Sequence, residues 1–222
     1  MEDNSIPGVI SIQDNINPVV QSPFVPFNIS LYHTRYSFLD TDEYINFIKN
    51  SVSRFRRSRF YKNYKSYLMS LGMYRSQLSA NISSDMATIE MHHNILTIFD
   101  IAVILTEHEL NRVGMISSFD LVNIMKKVHR ENKVQVVMLT LTEHQEFHNN
   151  TGMFIHPDMC FGNWVEFVKE YSDGITIDIA NKIIKYINRA EELGCTSDNN
   201  LLKLRDELVD WSRYNEYNRT SK

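Results

Sequence analysis

Two clusters in this chain combine histidines at spacings that could do chemistry. Glu90-Met91-His92-His93 ends a strand-like run, and Thr142-Glu143-His144-Gln145-Glu146-Phe147-His148 opens a helix-like run. Residues four apart on a helix share a face, with Cβ atoms roughly 5–6 Å apart. His144 and His148 can therefore grip one ion from consecutive turns. Such a pair alone is as often structural as metal-binding, and a further ligand from a strand strengthens it. Zinc and its neighbours favour about four ligands, and catalytic sites leave one position open. His92 is the candidate third ligand and His93 the candidate general base. Adjacent strand side chains diverge, so His92 can face an ion while His93 reaches a water. An unperturbed imidazole titrates near ~6.5 and accepts protons at cellular pH. Glu90 is placed to hydrogen-bond a histidine nitrogen and fix its tautomer. A divalent ion there would neutralise a scissile phosphate while His93 deprotonates water, which is phosphodiester hydrolysis.

The elements that must position these groups can be read from periodicity and punctuation. Residues 1–37 hold Pro7, Pro18, Pro23 and Pro26 without helical period, and read as an extended arm with short strands near Val9–Ile12 and Asn28–Tyr32. Residues 38–80 read as a helical segment. One helix starts near Thr41 and carries Tyr44, Ile45, Phe47, Ile48 and Val52, and a second runs from about Ser58 to Gln77. Residues 81–160 contain a strand at Ala87–His92, a helix from Thr97 stopped by Gly114, and another capped by Ser117 or Ser118. A valine-rich strand at Val134–Leu139 then leads into the His144–His148 helix. Residues 161–222 close the chain with helices near Asn163–Tyr171, Asp178–Leu193 and Asn200–Tyr214. The expected class is α+β, mainly α-helical, with a two-stranded element embedded among helices.

Arg54, Arg56, Arg57, Arg59, Lys62 and Lys65 concentrate positive charge within a chain of net charge -4. Any nucleic-acid contact must therefore come from a local patch, and this segment is the candidate, with Tyr61 and Tyr64 as exposed stacking rings. The competing reading makes those rings core and those cations solvated. His33, His108, His129 and His156 lack partners at ligand spacing, so surface or structural roles are expected. Trp164 and Trp211 read as core anchors, and Cys160 as no nucleophile. The two cysteines, Cys160 and Cys195, exclude a paired Cys-x-x-Cys zinc ribbon and fit a reducing compartment. Without an apolar run near ~18 residues or a signal-peptide pattern, the expectation is a cytoplasmic protein with no membrane partner.

Taken together, Ile89-Glu90-Met91-His92-His93 and Gln135 through His148 resemble the HNH (His-Me finger) endonucleases, and in particular the His-His strand and His-x-x-x-His helix of the DNase colicins. The resemblance implies a ββα-metal finger, with His93 as general base, His92, His144 and His148 at the metal, and Glu90 in support. It implies one divalent ion (Mg, Mn, Ni or Zn), DNA as substrate, and products with a 5′-phosphate and a 3′-hydroxyl. A looser likeness to phage-encoded HNH-type proteins rests on Tyr61-Lys62-Asn63-Tyr64-Lys65 and Asn163-Trp164-Val165-Glu166-Phe167. It implies the cytoplasm of an infected host, with a phage or host protein as a further partner. Gln135 stands where the family's central asparagine lies, and the stretch between the clusters is long. Those departures carry the alternative, a non-catalytic nucleic-acid- or protein-binding factor that keeps a metal-stabilised finger. A third reading is an interaction protein acting through its helical surface. A homodimer would suit paired nicks, though nothing in the sequence requires one.

Overall fold

Most helix starts in this chain are set by a short polar side chain. Asp40 accepts from the Asp42 amide to open α1 (Thr41–Arg57), and Ser58 accepts from the Tyr61 amide to open α2 (Arg59–Ser70). Thr97 with Asp100, and Ser117 with Asp120, form capping boxes for α3 (Ile98–Arg112) and α4 (Ser118–Arg130). Each satisfies amides that lack an intrahelical partner. Thr140 and Glu143 repeat the device for α5 (Leu141–Asn149), while Asn163 and Thr176 cap α6 (Trp164–Glu170) and α7 (Ile177–Glu192). The last helix, α8, covers Asn199–Thr220. The computed structural model describes residues 31–149, 153–195 and 199–220. The expected strand at Val9–Ile12 and most of that at Asn28–Tyr32 lie outside the described residues.

Two small antiparallel sheets complete the α+β architecture. β1 (Tyr32–Thr34) pairs with β3 (Met115–Ser117), and β2 (Ile89–His93) pairs with β4 (Val136–Thr140). The first of these was invisible to periodicity, because three residues are too few to alternate. All five residues of β4 are buried, which is why its sequence reads as an unbroken apolar run. Helix α2 stops at Ser70 rather than Gln77, where the backbone turns through Gly72 at φ +96°. Helix α3 is packed on more than one side, burying Ile98, Ile101, Val103, Ile104 and Leu105, so it is less amphipathic than expected. One core gathers α1 (Phe47, Ile48, Phe55), α4 (Leu121, Met125), β2, β4 and the Ile179–Ile183–Ile187 stripe of α7. The segments 38–80, 81–160 and 161–222 all contribute to it.

The ββα unit is assembled across 42 intervening residues by the β2–β4 pairing, and α5 follows β4 without a loop. A second clasp lies on the other edge of β4. Val136 and Phe161 exchange two backbone hydrogen bonds of 2.8 Å, which brings Gly162 against the chain entering β4. Gly162 has φ +111°, and a Cβ there would lie 1.9 Å from the Val134 carbonyl oxygen. Gly162→Ala should therefore lower unfolding stability by on the order of 3 kcal/mol, combining left-handed strain with a backbone clash. Urea denaturation checks this, and a change within about 0.5 kcal/mol would show that the clasp is dispensable.

Candidate metal centre

Strand alternation decides what each residue of Glu90-Met91-His92-His93 faces. In the observed register His92 stands opposite Val137 and Glu90 opposite Leu139. Glu90 and His92, two residues apart, both point toward α5. The His92 ring lies 4.9 Å from that of His144 and 5.3 Å from that of His148, and Phe147 packs on it at 4.8 Å. One nitrogen from each of His92, His144 and His148 lies within 4.8 Å of the others. His92 is buried, His144 half-buried and His148 exposed, so the cluster opens outward.

The hydrogen bonds assign protons. His144 Nδ1 donates to Glu90 Oε2 at 2.5 Å, which leaves its Nε2 lone pair facing His148 Nε2 at 3.1 Å. A tetrahedral ion with Zn–N bonds of ~2.0–2.1 Å would set nitrogens about 3.4 Å apart, so ring movements on the order of 1 Å would complete the site. Burial, and then the charges of His144, His148 and Lys182, push the His92 pKa down to about 4. It is therefore a neutral ligand at cellular pH. The donor set fits a divalent transition ion with one or more open positions.

His93 does not take the orientation expected of it. Standing on the opposite face of β2, it is 7% exposed, and its Nε2 lies 3.0 Å from His129 Nε2. His129 Nδ1 donates to the Met125 carbonyl at 2.7 Å, so its Nε2 must accept and His93 Nε2–H must donate. Desolvation, followed by the neighbouring charges of His129, Arg56 and His92, holds His93 well below the usual imidazole range. Burial pushes His129 down to about 4. His129, read as a lone structural residue, is thus half of a buried pair. Its place on the buried stripe Leu121-Met125-Val128-His129 was the available signal.

Gln135 acts as a brace rather than a reacting group. Its side-chain oxygen accepts from Asn94 Nδ2 at 3.2 Å and its carbonyl from the Asn94 amide at 3.1 Å, tying the exit of β2 to the entry of β4. Asn94 also donates toward Cys160 and Tyr186. Asn132 sits in the turn after α4 with φ +54°. Burial pushes the Cys160 thiol up to about 12, as befits an unreactive cysteine.

The basic segment is rearranged by packing. Tyr64 is buried and Tyr61 half-buried, stacked along Phe55, His93 and Phe60, so neither is a free platform. Arg54 binds Ser118 and lies over Phe119, Arg57 binds the Ser53 carbonyl, and Lys65 donates to the Ile89 carbonyl at 2.7 Å. Arg56, Arg59 and Lys62 are exposed without such partners among the described residues. A richer feature went unseen in the sequence. His92, His93 and His148 line a cleft of about 770 Å³ whose other wall is α7, with Lys182, Lys185 and Arg189.

Fold and site together define a mainly helical α+β protein built around a ββα histidine cluster. A family model described as bacteriophage G278-like virion protein matches residues 10–213, and the chain belongs to that family. The phage origin inferred from the sequence agrees with it. No curated protein matches the chain, and no solved structure does. Among the described residues no helix is long and apolar enough to cross a membrane.

The buried imidazoles make metal-free stability pH-dependent. Folded His92, His93 and His129 all titrate below the ~6.5 of an unfolded histidine, so the unfolded chain takes up protons first as pH falls. Stability should be full above pH ~6.5 and decline toward pH ~4, by up to about 1.4 kcal/mol per pH unit for each histidine. Urea midpoints in chelator should drop between pH 7.5 and pH 5, and equal midpoints would contradict the burial of these rings.

Proposed function

We propose that this virion-family protein is a metal-dependent endonuclease of the HNH type, hydrolysing DNA phosphodiester bonds with a histidine general base. The observation that carries the reading is the convergence of His92, His144 and His148, with Glu90 on His144. Two strands and a helix bring these residues together, which supports the reading. An all-imidazole donor set favours zinc or nickel over magnesium and manganese, which prefer oxygen ligands. When bound, the ion would supply charge neutralisation at the scissile phosphate and at the departing oxygen.

The chain's own residues take the remaining tasks. Glu90 holds His144 in the tautomer that offers Nε2, the second-layer support common to metal-binding histidines. Gln135 and Asn94 keep β2 and β4 in register beneath the cluster. His129 engages Nε2 of His93, which leaves Nδ1 as the nitrogen available to take a proton from water at the cleft that His93 lines. His129 thereby acts as a positioning residue.

One observation favours the alternative, a metal-stabilised scaffold that binds without cutting. His93 is nearly sealed and paired with another histidine, as a structural residue would be. Membership of a virion family also suits a part that contacts other phage proteins. Calorimetry with Zn²⁺ or Ni²⁺ should find one site per chain, weakened about 100-fold or more in His92→Ala and His148→Ala and about 10–100-fold in Glu90→Gln. Supercoiled plasmid should be nicked by the metal-loaded protein and not by His93→Ala, which should still bind metal. Failure to bind any divalent ion would end both readings, and metal binding without nicking selects the scaffold.

A further inference from the structure

The cleft beside the histidines has a second wall that the HNH resemblance does not cover. Lys182, Lys185 and Arg189 recur at i, i+3 and i+7 on α7, so they form one stripe, and all three line the same cleft as His92, His93 and His148. Among the described residues, Glu192 is the one acidic residue lining it. Lys182 is held by Asp100 at 2.5 Å and Arg189 by Glu192 at 2.8 Å, whereas Lys185 has no ion pair among the described residues. None of the six basic residues of the α1–α2 segment lines this cleft. In a chain of net charge -4, the described cations that line the cleft beside the candidate metal centre therefore stand on α7.

The rest of the lining is apolar and aromatic. Phe154 and Tyr186 stack with centroids 5.0 Å apart at 27°, and Ile95, Phe147 and Ile184 extend the surface. Flat rings beside a row of cations are the combination that holds unpaired bases and their phosphates. Size selects further. A space of about 770 Å³ is that of a small-ligand pocket, a size suited to an unpaired base with its phosphate rather than to a whole double helix.

We infer that α7 is the substrate wall of this site, and that the cleft takes an unpaired DNA strand, its phosphates along Lys182, Lys185 and Arg189 and its bases against Phe154 and Tyr186. The inference rests on the nuclease reading for what happens to the strand, but the binding itself needs no metal. The two can therefore fail separately.

The test is fluorescence anisotropy in chelator with the full chain, using a labelled strand of about 12 nucleotides and its duplex, at several salt concentrations. The single strand should bind about tenfold or more tightly than the duplex. Lys185→Ala/Arg189→Ala changes two exposed side chains and should retain the fold, checked by its melting curve. It should weaken single-strand binding about tenfold or more and flatten the log–log salt slope by about 1.4, the loss of two phosphate contacts at ~0.7 each. Lys203→Ala, a single-charge change at an exposed position of α8, should alter neither. Equal binding of duplex and strand, or an unchanged slope in the α7 variant, would overturn the inference. Retained single-strand binding by His92→Ala/His144→Ala, with plasmid nicking lost, would leave α7 as the wall. Nicking by the wild type together with an unaffected α7 variant would remove the wall and keep the nuclease.

Discussion

The pairing of β2 with β4 is the constraint on which the rest of the site depends. A strand has two faces, and a slip of one residue exchanges them. In the observed register Glu90 and His92 meet α5 while His93 meets α4. A shift by one would bury Glu90 in the core and carry His92 away from His144. Several features hold the alignment. At one end Asn94 donates both a side-chain and a backbone hydrogen bond to Gln135, and at the other the Leu141 amide reaches the Thr88 carbonyl at 3.1 Å. Between them β4 is buried along its length, so any slip would move apolar side chains out of the core.

That register sorts five histidines into two systems of different character. The cluster of His92, His144 and His148 grades from buried to exposed and has a carboxylate fixing one proton. The His93–His129 pair lies inside, with its protons ordered by the Met125 carbonyl. Burial disfavours the charged form of His92, His93 and His129 alike. The same desolvation therefore keeps His92 neutral and the inner pair a neutral hydrogen-bonded unit.

Membership of a virion family and a ββα histidine cluster sit together without conflict. The family description speaks of where such proteins belong, and the cluster speaks of what these side chains can hold. The helices around β2, β4 and α5 enclose the cluster on two sides. They bury the inner face of the ββα unit through α2 and α4, and they supply a cationic wall through α7.

Much of this was legible in the residues. Helix starts could be read because caps are local: Thr97, Ser117 and Asn163 act within three residues of themselves. The fold class, most of the helices and the three candidate ligand histidines followed from period and spacing, which are also short-range. The sequence by itself thus determined which residues could share a helix face and which ion-binding groups were available. Only the tertiary structure decided which way β2 turned its alternate side chains, so that His93 joined a buried pair instead of open water. It likewise drew Tyr61 and Tyr64 into the core, tied Lys65 to a backbone carbonyl and brought α7 across from the histidines. Those outcomes depend on contacts between segments tens of residues apart, set by which faces must be buried together, and no local pattern encodes them.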